Sequence, residues 1–591
     1  MKFKRTHTCA GLSLEDVGKE VVIQGWVDNM RDHGGVIFID LGDRYGTTQI
    51  VFDPDLTKEG HELANSFRNQ YVISVKGKVE KRPDGQANEK MSTGDIELYA
   101  SEVELLNKSV TPPYDLQSID KINEEVRLKN RFFDLRSRKL RDNMIFRDKA
   151  TAIIRNFFHE NDFIDVETPI LTKATPEGAR DYVVPSRVHQ GQFFALPQSP
   201  QLFKQSLMIS GFDRYIQIAR CFRDEDLRAD RQPEFTQVDL EMSFVDREDV
   251  MEIIESLFRR LFKEMMGIDL PEKFPRLTYQ EAMQKYGNDR PDLRFGLEIV
   301  DLGDIFKNTE FGVFKNVLGS GGLVRGINLK GASPKLSRRD LDDMTPFAKQ
   351  FKAKGVAWIR MNEDGPQSPI IKFFSDEEQK SLYETMNAET DDVLIFVADT
   401  KKVCLQSLSE LRLLMGDKLG LINENEFNFS WVIDFPMFDK SATGEPTPCH
   451  HPFTAPIDEH TDKMEEDPFA VLTNAYDIIL NGVEVGGGSV RIHNQDVQKR
   501  VFKMLGISNE EAADKFGFLL DALQAGAPPH AGLALGLDRL IMLMLKLDSI
   551  RDVIAFPKTQ KATCLMTEAP GSIPESQMEE LALESTVEDE D

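Results

Sequence analysis

Apolar and polar positions alternate along five stretches of the first 107 residues: EVVIQGWVD (20–28), VIFIDLGD (36–43), TTQIVFD (47–53), YVISVKGKVE (71–80) and DIELYASEVELL (95–106). Alternation sends successive side chains to opposite faces of a strand, so each stretch predicts a half-buried strand. A helix-leaning run, KEGHELANSFRN (58–69), separates the third from the fourth. Five strands with a helix after the third is the order of an OB-fold barrel, which binds single strands on aromatic and polar groups. Arg31, Phe38 and Gln49, with Trp26, lie on the first three strands or their turns. Singly, each reads as well as a core aromatic or a solvated polar group; the whole fold carries the functional reading.

TPPYDLQS (111–118) is a proline-rich break. Beyond it Ile145, Phe146, Ala150, Ile153, Ile154, Phe157 and Phe158 recur at helical spacing, for a core or an interface. TKATPEGARDY (172–182) is a loop of lid type carrying Glu177 and Gly178. FFALPQSPQLFKQSLMISG (193–211) turns from strand to helix, with Gln198, Ser199, Gln201 and Lys204 where the helix starts. That is a place for an anion, or simply a helix capped by Ser199.

Two apolar-leaning runs then flank a loop dense in charge. YIQIA (215–219) and FTQVDLEMSF (235–244) predict an antiparallel hairpin. Its loop places Arg223, Arg228 and Arg231 among Asp224, Glu225, Asp226 and Asp230. A planar guanidinium donates bidentately to phosphate oxygens, so arginines fixed at strand ends suit a phosphate. On charge alone, a solvated loop explains the stretch equally well.

At about Asp292 the pattern changes to a mixed region with glycine clusters and its own apolar runs, VAWIRM and DVLIFVAD. The earlier pattern resumes in WVIDFPMFD (431–439), which makes 292–424 an inserted domain. In AYDIILNGVEVGGGSVRIHN (475–494), Asp477 and Glu484 fall on one strand–turn–strand unit, with three glycines (486–488) behind them. Two carboxylates facing a polyphosphate would hold Mg2+. GAPPHAGLALGLDRLIMLMLKL (526–547) predicts a strand and then, from Gly532, a buried helix. Arg539 within it needs an anion, either Asp538 or a bound phosphate.

Charge changes this picture in one respect. The net charge of −27 argues against broad nucleic-acid binding. Its distribution is uneven: residues 575–591 hold eight acids and no base, whereas 120–147 hold nine Lys/Arg against five Asp/Glu. Any nucleic acid must therefore use local basic patches. The five cysteines form no CxxC pair, which argues against disulfides and structural zinc. No apolar run approaches the ~18 residues a membrane span needs, and the first residues have no apolar signal core, so a cytoplasmic protein with no membrane partner is expected.

Taken together, the long helix and strand of FIDVETPIL ending at Pro169, FRDEDLRADRQPEF and GLALGLDRL occur in the order of the three class II signatures. With TPEGARDY, QSPQLFK, HHPFTAP and GVEVGGGSVRIH, they resemble the bacterial aspartyl-tRNA synthetases over nearly the whole length. The resemblance implies a multidomain α/β (α+β) chain. It comprises an N-terminal OB-fold β-barrel for the anticodon (1–107), a basic hinge (108–140), a class II catalytic domain with an antiparallel sheet (141–291 and 425–570), an inserted α/β domain (292–424) and a C-terminal extension with an acidic tail (571–591). It implies ATP and Mg2+, L-aspartate and tRNA(Asp) as partners, and a homodimer. For ATP it implies Arg223, Asp224, Glu225, Gln232, Phe235, Glu484, Gly536, Leu537, Asp538 and Arg539; for Mg2+, Asp477 and Glu484. For aspartate it implies Glu177, Gln201, Lys204, Arg223, Asp239, His450 and Arg491, with Arg491 and Lys204 reading the second carboxylate.

For the anticodon strand it implies Arg31, His33, Phe38, Gln49 and Gly85. In the family, histidine at the place of His33 and glycine at that of Gly85 mark enzymes that charge tRNA(Asn) as well as tRNA(Asp). A non-discriminating enzyme, linked in function to a tRNA-dependent amidotransferase, is therefore expected. One departure stands out: Asn29 and Met30 occupy places where the family usually has arginines.

Overall fold

A computed structural model describes residues 1–175, 179–441 and 444–586. The chain forms two compact units. The first comprises residues 1–145, 555–559 and 563–570. Its strands Glu20–His33, Val36–Gly42, Thr47–Phe52, Ile96–Asn107 and Val72–Lys81 close into a barrel in that spatial order. The first strand runs through His33, five residues beyond the predicted end, because Asn29 to His33 pair with Asp40 to Val36 past a register shift. Helix Lys58–Ala64 is shorter than predicted; Thr57 caps its start, and Phe67 beyond its end packs edge-on against Phe52. Val21, Ile23, Val27, Ile37, Ile39 and Ile50 fill the barrel, as the alternation requires.

Part of the basic stretch in this unit is paired from within. Asp134 accepts from Arg127 at 3.0 Å and Arg131 at 2.7 Å, and Lys139 pairs with Asp120 at 2.6 Å. Arg136 covers Trp26 with its guanidinium 5.1 Å from the indole centroid, so that ring is no open stacking platform.

The second unit holds an eight-stranded sheet. Its spatial order is Arg276–Thr278, Phe429–Ile433, Ala475–Leu480, Val483–Val490, His530–Gly536, Glu234–Ser243, Arg214–Phe222 and Ile164–Asp165. The pairings are antiparallel except at the two edges. Helix Arg247–Met266 and Ala150, Ile154, Phe157 and Phe158 cover one face. A separate five-stranded sheet, built from residues 299–399, has its own apolar clusters and lies between Thr278 and Phe429 in sequence.

One expected element differs. The helix predicted from Gly532 begins at Leu537; His530–Gly536 is a strand paired on both sides. GLALG carries no charge, so its period cannot distinguish a buried helix from a buried strand. Its central place in the sheet decides for the strand, with Ala531, Leu533 and Leu535 in the core.

Candidate active site

The site grows from the two faces of strand Glu234–Ser243. Val238, Leu240 and Met242 point into the core. The alternate residues Phe235, Gln237 and Asp239 line two adjoining cavities, and Glu241 continues that face. The first cavity, of about 310 Å3, is bounded by Arg223, Glu225, Gln232, Phe235, Gly536 and Arg539. The second, of about 670 Å3, is bounded by Gln201, Lys204, Asp239, His450, Asp477 and Arg491. Arg223, Gln237, Glu484, Gly487 and Ala534 belong to both walls, so the cavities meet at Arg223 and Glu484.

Lys204, from helix Gln201–Ile209, is fully buried and donates to Asp239 at 3.0 Å; Glu241 is 3.4 Å away. Arg491 donates to both oxygens of Glu241, at 2.8 and 3.1 Å. The two cations therefore face two buried carboxylates. Burial pushes the Asp239 carboxyl up against the pull of Lys204. Burial opposes the charge of Glu241 too, but Arg491 and Lys204 hold it below the usual range. Gly532 leaves the room: a Cβ there would lie 2.0 Å from Glu241 Oε2.

Arg491 Nη1 also contacts His451 Nε2 at 2.7 Å and donates to Ser489 Oγ at 2.7 Å. His450 packs edge-on against Phe435. Burial and then Arg491 lower His450 to about 4, and burial drives His451 well below its ordinary value, so both are neutral at pH 7. Glu241 and His451 are additions to the residues expected from sequence.

Asp477 and Gly487 are paired across neighbouring strands. A Cβ at Gly487 would stand 2.5 Å from Asp477 Oδ1 and 3.9 Å from Glu484 Oε1, so the glycine opens the space before both carboxylates. Burial, then Glu484, then Asp289 push Asp477 well above the carboxylate range. Two crowded acids of this kind gain most from a divalent cation, and the donor set fits Mg2+ shared with phosphate oxygens.

Arg539 finds its anion in Asp230, at 3.1 Å, and donates to the Glu484 carbonyl at 2.6 Å. Asp538, the neighbour considered from sequence, instead pairs with Arg147 and accepts from the Thr236 amide. Consecutive helical residues diverge by about 100°, so 538 and 539 serve different partners. Arg223 lies over Phe235, 5.1 Å from its ring centroid, and Arg231 holds Glu225 at 2.9 Å. Asp224 and Leu537 do not line the cavity: the Asp224 amide donates to Arg180 O, and Leu537 is in the core. Glu177 lies outside the described residues.

On the barrel, Arg31 donates to both oxygens of Asp40, at 2.9 and 3.1 Å, and to Gln49 at 3.3 Å. Gln49 in turn donates to Glu97 at 2.9 Å. His33 and Phe38 meet edge to face, 6.0 Å between centroids. Gly85 stands in an open turn at φ +82°, a conformation suited to glycine.

Comparison with known proteins supplies the remaining observation. The family described as tRNA synthetases class II (D, K and N) matches residues 123–560, and the OB-fold nucleic acid binding domain matches 21–106. A protein of Thermoanaerobacter pseudethanolicus named aspartate–tRNA(Asp/Asn) ligase is 53% identical over 580 residues, covering 98% of each chain. One of Macrococcus caseolyticus named aspartate–tRNA ligase is 51% identical over 585 residues, covering 99% of each. The crystal structure of asparaginyl-tRNA synthetase from Pyrococcus horikoshii, complexed with asparaginyl-adenylate, superposes with a TM-score of 0.60 at 19% identity, covering 94% of this chain and 98% of that one. At that identity it speaks for the fold alone.

Proposed function

The chain belongs to the class II tRNA synthetases of the D, K and N group, and from that premise we propose that it is an aspartate–tRNA ligase acting on both tRNA(Asp) and tRNA(Asn) in the cytoplasm. The observation that carries this reading is the identity above 50%, over the full length, to proteins named aspartate–tRNA ligases, most of them with both tRNAs in the name. The geometry supports it. A dicarboxylic amino acid fits the 670 Å3 cavity with its side chain toward Arg491 and Lys204. Its α-carboxylate then reaches the junction at Arg223, where the triphosphate in the neighbouring cavity presents its α-phosphorus.

The nucleophile is already ionised, so no general base is needed. A carboxylate oxygen forms a bond to the α-phosphorus as the bond to the pyrophosphate oxygen breaks. Arg223 steadies the phosphoryl oxygens and Arg539 the far phosphate, so catalysis is in-line positioning plus fixed charge. Phe235 offers its ring to adenine, and Glu225 and Gln232 border it. Asp477 and Glu484 would hold Mg2+, which when bound neutralises phosphate charge. The terminal ribose hydroxyl of tRNA then attacks the aspartyl-adenylate, and AMP leaves.

On the barrel, Arg31, His33, Phe38, Gln49 and Gly85 make up the anticodon-reading face. Aspartyl-tRNA(Asn) made in this way would pass to a tRNA-dependent amidotransferase. The exposed apolar residues Ile164, Ile170, Leu171, Val183 and Phe193 fit a second copy of the chain, as in a homodimer.

Pyrophosphate exchange with aspartate, asparagine and lysine in turn tests the amino acid; exchange with asparagine alone sinks the reading. Aminoacylation of purified tRNA(Asp) and tRNA(Asn) tests the breadth. Both are charged on this reading, and His33→Leu lowers charging of tRNA(Asn) more than that of tRNA(Asp). A wild-type chain that charges tRNA(Asp) alone restricts the function to the discriminating form.

A further inference from the structure

Loop 287–296 leads from the catalytic sheet into the five-stranded insertion and is gripped from the insertion's side. Arg412 Nη2 donates to the carbonyls of Asp292, Phe295 and Gly296 at 2.7, 2.8 and 2.9 Å. Its guanidinium lies 4.1 Å from the Phe295 ring centroid and 4.8 Å from that of Tyr286. Asn288 donates to Ser409. Ser409 and Arg412 both belong to helix Lys401–Lys418. A buried arginine whose two Nη2 N–H groups are shared among three carbonyls fixes the loop's path.

The residue next to Asn288 faces the other way in function. Asp289 lines the 670 Å3 cavity together with Asp477 and Glu484. Among the described residues, no group of three acids, histidines or cysteines is placed to hold a metal jointly. Asp289 adds a third charge to the wall that holds the pair.

We propose that Asp289 is a positioning residue for the divalent cation of Asp477 and Glu484, acting from outside its coordination shell, and that the insertion sets its place through Arg412 and Ser409. A carboxylate one shell out orients metal-bound water and deepens the negative potential at the site, and such groups typically change metal affinity 10–100-fold. The insertion thereby becomes part of the ATP site's scaffold. This rests on the reading of the cavity as a metal–ATP site.

The test is Mn2+ binding to the full chain with a non-cleavable ATP analogue, followed by the loss of the free-Mn2+ electron paramagnetic resonance signal. Asp289→Asn weakens binding about tenfold. Arg412→Met weakens it in the same direction, and the milder Ser409→Ala does so to a smaller extent with the fold intact. The Mg2+ concentration that gives half-maximal pyrophosphate exchange rises in parallel. Unchanged Mn2+ affinity in Asp289→Asn overturns the proposal. Unchanged affinity in Ser409→Ala, with Arg412→Met either unfolded or equally tight, removes the insertion from it. A wild-type chain that binds no Mn2+ with the analogue overturns the underlying reading instead.

Discussion

Two arginine–carboxylate pairs of nearly equal length do different work. Arg491 and Glu241 lie 2.8 Å apart with side chains 2% and 0% exposed; Arg31 and Asp40 lie 2.9 Å apart at 42% and 17%. The buried pair has no water to fall back on, so each charge is held in place by its partner. Its geometry is set before any substrate arrives. The exposed pair has water on one side, and Asp40 can yield the guanidinium to an incoming phosphate or base. On the proposed reading, the first region recognises a small dicarboxylate with groups fixed in advance, and the second makes exchangeable contacts with a polyanion. The sharpest way to break this contrast is Glu241→Gln. Removing one partner of a buried pair costs roughly 3–5 kcal/mol, so the denaturation midpoint of the catalytic unit falls substantially. Pyrophosphate exchange falls at least about tenfold as Arg491 loses its bidentate hold. An unchanged midpoint would show that burial is not what separates the two regions.

The same strand explains why Glu241 was absent from the residues expected on sequence. Asp239 is expected in the site from sequence, and residues two apart on a strand share a face, so VDLEM already puts Glu241 beside it. Parity was the available signal, and the barrel shows its reach: five alternating runs became five strands. His451 offered no such signal, because CHHPF lies in irregular backbone where neighbours have no fixed relation. Which of two adjacent histidines touches Arg491 depends on packing. The protein counter-ion of Arg539 escaped for a related reason. Its acid lies 309 residues away in the charged hairpin loop, and proximity in sequence pointed to Asp538 instead. Strand identity was legible wherever polar residues broke the apolar run, and ambiguous at GLALG, where none did.

Asp28, in the barrel unit, tests an intermediate case: a charge largely buried but incompletely paired. Burial raises it to about 6, against the pull of Arg141. A carboxyl whose folded value lies above its unfolded value of 3.8 favours the native state at low pH. That contribution fades as pH rises from about 4 through 6, and above 6 the buried charge is a burden. Asp28→Asn therefore gains stability at pH 7.5 relative to pH 5. The gain is about 1.4 kcal/mol, because about one pKa unit's worth of the proton-linked penalty develops between pH 5 and pH 7.5. Denaturant unfolding at the two pH values measures it. An equal effect at both would mean that burial does not hold the Asp28 carboxyl above its ordinary value.

The smallest effect on stability, and the most telling for the contrast, is expected from Arg31→Ala. An exposed pair contributes about 0–1 kcal/mol, so unfolding of the barrel unit barely moves. Pyrophosphate exchange, which involves no tRNA, is unchanged. The KM for tRNA rises, and because one cation no longer displaces counterions, the slope of log KM against log salt becomes shallower by up to about 0.7. Asn29 and Met30 next to it leave Arg31 as the one arginine of that strand, so the loss is not shared with a neighbour. A fall in kcat for exchange would tie Arg31 to the chemistry and erase the division of labour. A fall in stability like that of Glu241→Gln would show instead that the exposed pair is as fixed as the buried one.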